Sequence, residues 1–330
     1  MSNKSSVLPG DIREFELFQA KDGGKSIDAS GAVVDIKYYE DILSNSVSLS
    51  AIITETGESD SDVGNVGMLD GLPIRGGEPS NIVIVDHDGN KLEFNGDNKL
   101  YVNRVRNVIS GTQKDVYSID FTSREMLANE QCRVVKRYDG KISENIKKIL
   151  TENTSAEVGI KTKKEVTVDE TAINYNFIGN DRKPFYVCTW LASKSIPAQA
   201  GKVGGSAGYV FYETYDGYNF RSLDALAEQE PKGNYLFSNT DDIPPEYTAK
   251  VLNYDIDRDI DLQNNLTIGA YANRTLFFDF YAYNYKVRNY SVDESGGADN
   301  NEGAGSKGKI VTLGSDEIDS VADEFRLPVS

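Results

Sequence analysis

Strict two-residue alternation in the first third of the chain constrains the fold more than any other feature of the sequence. Over residues 46–54, apolar side chains and serines take alternate positions. This period places the apolar residues on one face of a half-buried β-strand. The apolar positions are Val47, Leu49, Ala51 and Ile53. Residues 32–39 are the predicted partner strand, so we expect the chain to begin with antiparallel β-structure.

Two further hairpins are predicted in the same third of the chain. Their strands are 82–86 with 91–94, and 99–109 with 114–122. The first hairpin turns at Asp88-Gly89, a pair that supplies the positive φ angles of a tight turn. The second turns at Gly111. Residues 56–80 are rich in glycine, serine and aspartate, which predicts a long loop.

The middle of the chain changes to a helical period. Apolar residues recur at i, i+4, i+7 and i+8, which predicts an amphipathic helix over 141–152. These residues are Ile142, Ile146, Ile149 and Leu150. Pro184 suits the first turn of a second helix, predicted over 183–195. Asp216-Gly217 between aromatic segments predicts another hairpin over 208–221. The order β, α/β, β indicates a β-dominated α+β fold.

The last third returns to β-structure, with candidate strands at 249–256 and 275–288. In the second strand, the tyrosines share one face and the phenylalanines Phe278 and Phe280 share the other. Tyrosine-rich faces are typical of interface cores, which makes these tyrosines candidate inter-subunit contacts. They are Tyr281, Tyr283 and Tyr285.

The C-terminal residues 293–330 are predicted to be a flexible acidic, glycine-rich tail. Residues 293–308 have low complexity, whereas Ile318, Val321 and Phe325 recur at helical spacing. Two alternatives stay open for this end of the chain. It is either a short helix that docks onto a neighbouring subunit or a frayed tail.

The charge balance argues against tight binding of DNA or RNA over most of the surface. The chain has 52 Asp and Glu against 35 Lys and Arg, a net charge of −17. Tight binding of nucleic acid requires Lys and Arg to neutralise phosphates. The sequence contains no apolar run near the about 20 residues that span a bilayer, and its first residues do not resemble a signal peptide. We therefore expect assembly in the cytoplasm, without a membrane anchor.

No catalytic, metal or cofactor site is predicted. His87 is the single histidine and lies at a predicted hairpin turn, where a catalytic role is improbable. The alternating aspartates of residues 255–261 lack the glycine and glutamate that a calcium loop requires at its sixth and twelfth positions. Cys132 and Cys188 are far apart in sequence and are expected to be reduced.

The stretch Asn176–Leu226 contains FIGNDRKPFYVCTWLAS, a glycine-rich gap and GYVFYETYDGYNFRSLDAL. It resembles the central hub proteins of contractile-tail phage (myovirus) baseplates, particularly those of marine cyanobacterial phages. These are related to the N-terminal hub part of type VI secretion spike proteins. The resemblance implies that nine residues are scaffold of an α/β domain. They are Gly179, Asn180, Pro184, Phe185, Trp190, Asp216, Gly217, Phe220 and Leu223.

The resemblance implies two tube-type antiparallel β-barrel-like domains with an inserted peripheral α/β domain. The expected boundaries are 1–127 for the first tube-type domain, 128–228 for the α/β domain, and 229–292 for the second tube-type domain, which can also recruit strands from 208–221. The residues alone establish no internal repeat.

The resemblance also implies a function and partners. Three subunits would form a ring that adapts the sixfold tail tube to the threefold spike, and DNA would pass through without specific binding. The implied partners are a spike protein with an OB-fold domain, the tail tube protein, baseplate wedge proteins and the tape measure protein. Two alternatives stay open: a tail-associated enzyme that degrades the envelope, and a glycan-binding adhesin.

Overall fold

A computed structural model describes most of the chain between residues 10 and 291. The described residues are 10–19, 25–55, 72, 74–86, 89–111, 114–155, 157–198, 208–231, 233–238, 244, 247, 249–251, 253–256, 261–268 and 272–291. The chain divides into two compact units, the first being Met1–Ala198 with Gly208–Ser222 and the second Gln199–Ala207 with Leu223–Ser330. Strands dominate and the main sheet is antiparallel, which confirms the predicted β-dominated α+β class.

An eight-stranded antiparallel sheet forms the larger part of the first unit. Its strands are β1 (Asp11–Phe18), β2 (Ser26–Asp28), β3 (Val33–Tyr39), β4 (Ser48–Glu55), β5 (Pro79–Val85), β6 (Lys91–Phe94), β7 (Leu100–Ser110) and β8 (Asp115–Ser123), with a 3₁₀ turn at Gly96–Asn98. The order is β2-β1-β5-β7-β8-β4-β3, and β6 also pairs with β5. The three predicted hairpins, β3–β4, β5–β6 and β7–β8, are confirmed.

The inner face of this sheet carries one apolar core. The residues predicted to share the apolar face of β4, among them Ile53, are buried as predicted, and Tyr117 of β8, the cross-strand partner of Ile53, is buried with them. The sheet bends so that Phe15 of β1 meets Phe121 of β8 edge to face, with ring centroids 5.7 Å apart. Strand pairing does not close into a barrel, because in the described part β2 and β3 each have a neighbour on one side only.

The rest of the first unit is an α/β part. It contains α1 (Arg124–Gln131), β9 (Arg137–Tyr138), α2 (Ile142–Thr151), β10 (Glu165–Val168), β11 (Phe177–Ile178), α3 (Pro184–Ala192), β12 (Tyr209–Thr214) and β13 (Gly217–Ser222). β13 lies between β10, which is parallel to it, and β12, which is antiparallel. The apolar stripe of α2 is fully buried, which confirms the predicted helix.

Helix α3 begins at the predicted proline but is shorter than the predicted 183–195. It ends at Ala192 because the following backbone tightens into three-residue turns. The N–H of Lys194 donates to the carbonyl of Leu191, and the N–H of Ser195 donates to that of Ala192. These bonds replace the i→i−4 bonds of an α-helix.

The second unit contains short elements in its described part. They are α4 (Leu223–Ala227), β14 (Tyr235–Phe237), β15 (Ala249–Val251), α5 (Leu262–Thr267), β16 (Ala272–Asp279) and β17 (Asn284–Ser291). β14 pairs parallel with β15, and β16 pairs antiparallel with β17. The predicted strand 249–256 is confined to β15. These two-stranded ladders leave the second tube-type domain over 229–292 a prediction, and residues 293–330 lie outside the described part of the chain.

The single long strand predicted over 275–288 is wrong, because a turn divides it into β16 and β17. Oδ1 of Asp279 accepts hydrogen bonds from the N–H groups of Tyr281 (2.9 Å) and Ala282 (3.1 Å). Tyr283 has a φ of 48°, in the left-handed region. An aspartate that bonds the backbone two residues on reverses the chain, and here it overrides the aromatic alternation.

Candidate assembly surfaces

Strand β3 presents an unpaired backbone edge. It pairs with β4 on one side, and no described strand lies on the other. Val34 is 69% exposed and Tyr39 is 51% exposed, and Leu43 in the following loop is 81% exposed. This edge therefore combines free backbone hydrogen-bonding groups with apolar side chains.

Strand β7 presents a second open edge over residues 103–110. β7 pairs with β5 only through Leu100 and Tyr101, whereas its pairing with β8 runs to Ser110. Beyond Val102, no described strand lies on the side away from β8. The register shifts between Arg106 and Ile109, and Asn107 has a φ of 54°. Ile109, at the far end, is 67% exposed.

Charged side chains flank the open part of β7 on the outer face of the sheet. Arg104 and Arg106 both donate to the carboxylate of Asp120 on β8, at 3.2 and 2.7 Å. Charged side chains and β-bulges prevent edge strands from pairing with other chains non-specifically. The last residues of β7, which include Val108 and Ile109, carry no charge. The open edge of β7 is thus suited to pairing with a specific partner strand.

The β16–β17 hairpin exposes aromatic rings. Cross-strand partners Phe278 and Tyr285 are 55% and 62% exposed, and Tyr281 and Tyr283 in the turn are 99% and 89% exposed. The predicted interface tyrosines are therefore close together, in and beside one turn. The other predicted contacts, Ile318, Val321 and Phe325, lie outside the described residues.

The first half of the predicted motif builds a fixed turn and helix. A side chain at Gly179 would place its Cβ 2.2 Å from the carbonyl oxygen of Val134, so only glycine fits there. Asn180 follows with a φ of 49°. Pro184 is the first residue of α3, and the N–H of Phe185 donates to Oδ1 of Asn129 at 2.9 Å.

The second half of the motif joins β12 to β13. Gly217 has a φ of 144°, and a Cβ there would lie 2.2 Å from the carbonyl oxygen of Glu165. Asp216 precedes it in the turn, and Phe220 is fully buried. Leu223, by contrast, is 46% exposed at the start of α4. Both predicted glycines thus occupy positions that demand glycine.

A buried ionic cluster, absent from the sequence-based predictions, joins the sheet to the α/β part. Nζ of Lys164 lies 2.7 Å from Oε1 of Glu213 and 3.9 Å from Oε2 of Glu125, and all three side chains are at most 3% exposed. The other oxygen of Glu213 accepts the N–H of Val47, the residue before β4, at 3.0 Å. Thr162 donates to Glu125 at 3.0 Å.

Burial has the largest influence on the pKa of Glu213. Burial raises the pKa of its carboxyl above 4.5, and the Lys164 ammonium offsets that rise only in part. The sequence did contain a signal for this residue. Tyr209, Phe211 and Glu213 share one face of β12, so an acid stands at an inward position. Such a position requires a buried cation.

Comparisons with known proteins match solved structures only. No protein-family model matches the chain, and no curated protein matches it. The 43 kDa tail protein of prophage MuSo2 from Shewanella oneidensis is 14% identical at a TM-score of 0.43, over 68% of this chain and 57% of that one. The tail protein from Neisseria meningitidis is 13% identical at 0.49, over 85% and 67%. The prophage tail protein gp18 from Listeria monocytogenes is 9% identical at 0.45, over 84% and 67%.

The names of these neighbours agree with the predicted resemblance. They are phage tail proteins, and a component of the type VI secretion system of E. coli also matches. The chain spans 57% of the length of the first of them. With TM-scores of 0.49 or less, the likenesses are distant, and no partner or activity of this chain follows from them.

Among the described residues, the remaining chemical candidates form no site. His87, Asp257 and Asp259 lie outside the described residues. Across the described ranges, no group of three or more His, Cys, Asp or Glu is arranged to hold a metal ion. Cys132 and Cys188 are free and buried, and burial raises the pKa of both thiols. No helix among the described residues has the length and hydropathy to span a membrane.

Proposed function

We propose that this chain is a structural subunit of the central hub in a contractile-tail phage baseplate. Three copies form a ring that adapts the sixfold tail tube to the threefold cell-puncturing spike and lines the DNA channel. The subunit acts in the virion tail after assembly in the host cytoplasm, and it is not an enzyme. The observation that carries the proposal is the open sheet of the first unit, whose edges are available to strands of neighbouring copies.

The two open edges suit a head-to-tail contact. They bound one four-stranded layer, β7-β8-β4-β3, on opposite sides. β3 spans Val33–Tyr39, and the open part of β7 spans a similar length. Pairing of one edge with the opposite edge of the next copy is a heterologous contact, which generates a ring when the rotation closes. The added strands also cover Val34 and Ile109.

The aromatic hairpin supports the same assembly. A lone two-stranded hairpin is marginally stable in water, and this one exposes Phe280 at 77% and Tyr281 at 99%. Aromatic rings are enriched in the cores of protein interfaces. In the proposed ring, the hairpin and the terminal segment with Ile318, Val321 and Phe325 pack between subunits.

The finer architecture belongs to the same proposal. Each copy has tube-type domains over 1–127 and 229–292 and a peripheral α/β domain over 128–228. Six such domains meet the tail tube, and three identical surfaces meet an OB-fold spike protein. Wedge and tape measure proteins contact the periphery and the channel. The net charge of −17 keeps DNA from adhering as it passes.

Light scattering after size exclusion, followed by electron microscopy, tests the ring. We expect the wild-type chain, over a concentration series and with a spike protein present, to reach three times its 36.4 kDa monomer mass and to form hollow particles. Ile109→Lys and Val34→Lys place a charge on each open edge and should lower the trimer fraction at least about tenfold.

A matched control is Ile173→Lys, at a residue 44% exposed in the α/β part. It adds the same charge away from both edges and should leave the trimer fraction unchanged. A strictly monomeric wild type, or equal losses in the control and the edge variants, would contradict the proposed ring.

A further inference from the structure

A pocket of about 450 Å³ opens on the α/β part of the first unit. Its wall is made by the turn after β11 and by the outer face of α3. The residues that matter are Ile178, Asn180, Asp181, Arg182, Tyr186 and Trp190. All six lie in the segment FIGNDRKPFYVCTWLAS, in which Asn180 and Trp190 were predicted to be scaffold, and the proposed ring gives them no other role.

Two aromatic rings one helical turn apart form the floor. Tyr186 is 55% exposed. Trp190 is held from behind by Tyr175 and Phe177, with ring centroids 5.8 and 5.9 Å away. The guanidinium of Arg182 lies 5.4 Å from the centroid of the Tyr186 ring. The Trp190 ring is therefore fixed by its neighbours, whereas the Tyr186 ring is open to solvent over about half of its surface.

Polar side chains form the rim of the pocket, and two of them belong to residues with positive φ angles. Asn180 and Asp181 have φ angles of 49° and 56°, both left-handed. The N–H of Asp181 donates to the carbonyl of Val134 at 3.1 Å, which fixes the turn. The side chains of Asn180 and Asp181 are exposed and make no hydrogen bond or ion pair with another described residue. Residues held in sparsely populated backbone regions cluster at active and binding sites, although Asn and Asp enter the left-handed region more readily than most residues.

The residues that line this pocket favour a sugar over a phosphate or a nucleic acid as its ligand. Its polar rim includes Asn180 and Asp181, whose side chains have no partner among the described residues, and this favours a ligand rich in hydrogen-bonding groups. Asp181 beside Arg182 disfavours a phosphate or a nucleic acid. A sugar ring fits both halves, because its C–H face packs on an aromatic ring while its hydroxyls both donate and accept hydrogen bonds. The volume lies within the about 300–1,000 Å³ typical of small-ligand pockets.

We propose that this pocket is a saccharide-binding site. A sugar ring of a short glycan stacks on Trp190 and Tyr186. Its hydroxyls bond the carboxylate of Asp181, the amide of Asn180 and the guanidinium of Arg182. The site is complete within one chain, so it does not depend on ring formation.

The single tryptophan of the chain gives a direct test, because all tryptophan emission comes from this pocket. An oligosaccharide array is screened with the full chain, and the glycan with the strongest signal is titrated into the free protein. We expect a saturable change in Trp190 emission and reduced quenching by acrylamide. Tyr186→Ala and Asp181→Asn should each weaken the titration at least about tenfold. These positions are exposed, so their substitution should leave the fold intact, which circular dichroism checks.

Tyr235→Ala is the matched control, since Tyr235 is 60% exposed in the second unit. It should leave the titration unchanged. Three results would overturn the proposal: an array without binding, glycan binding that leaves Trp190 emission unaltered, or binding equally strong in Tyr186→Ala and wild type. An emission change produced by a baseplate protein and by no glycan would assign the pocket to protein docking instead.

Discussion

The two units use their aromatic residues in opposite ways. In the first unit, Phe15, Phe121 and Phe220 are at most 1% exposed. In the described part of the second unit, Phe280 and Tyr281 are 77% and 99% exposed. Burial of a phenylalanine stabilises a fold by about 1.5–3 kcal/mol, whereas an exposed ring contributes nothing until a partner covers it. The first unit thus has the interior of a self-sufficient fold, whereas the described part of the second exposes aromatic rings that the proposed ring would cover.

The largest expected effect is the difference between two matched truncations. Phe121→Ala removes a ring from the first core and should lower the free energy of unfolding by about 3–5 kcal/mol. Phe280→Ala removes the same ring from an exposed site and should change the unfolding of the isolated chain by less than about 0.5 kcal/mol. Urea titration followed by circular dichroism measures both. Similar losses of unfolding free energy in the two variants would contradict the proposed difference between the units.

A second, slightly smaller effect concerns the polar interior that only the first unit shows in the described residues. Lys164→Met leaves the buried carboxylates of Glu213 and Glu125 without their ammonium partner and should cost about 3 kcal/mol or more. Adding Glu213→Leu should restore part of that stability, because it removes one of the two stranded carboxylates, while Glu125 stays buried and the N–H of Val47 loses its acceptor. Urea titrations of the two single variants and the double variant form the test. Purely additive losses would show that the two side chains do not interact.

Backbone constraints give the next effect. Gly179→Ala places a Cβ against the carbonyl of Val134 and should destabilise the first unit by about 1–3 kcal/mol. Gly31→Ala is its control, since a Cβ there meets nothing within 4 Å and its φ is ordinary. Thermal unfolding of both variants measures the difference. Equal midpoints would mean that the turn before α3 can shift without cost.

The fold of the first unit was largely predictable, because its signals are local. Alternation and turn residues predicted β3–β4, β5–β6 and β7–β8, and apolar spacing predicted α2. Prediction failed at 275–288, where one aspartate reverses the chain against the aromatic pattern. An Asx turn depends on a single side chain. A prediction from the alternation of residues over a whole segment does not detect it.

The assembly surfaces and the buried cluster were less accessible to sequence reasoning because they depend on distant pairings. Lys164 meets Glu213 after β10 pairs in parallel with β13, a contact that no local period encodes. The open part of β7 follows from where β5 stops pairing with it. The two motif glycines were named from the sequence, but the pocket beside Gly179 depends on how the turn packs against α3.

The smallest expected effect is a pH dependence of stability. It arises from Glu213, which lies in the first unit. Burial raises the pKa of Glu213 above its ordinary 4.5 in the folded chain, so the folded state binds the proton more tightly than the unfolded state. The contribution of this residue to stability therefore improves as the pH falls through the folded pKa towards 4.5, and it changes no further below that. Glu213→Gln does not titrate, so its stability relative to wild type should decline on acidification. Urea unfolding from about pH 8 to about pH 5 measures this trend. A difference between the two proteins that stays constant across that range would mean that the Lys164 ammonium fully offsets the burial of Glu213.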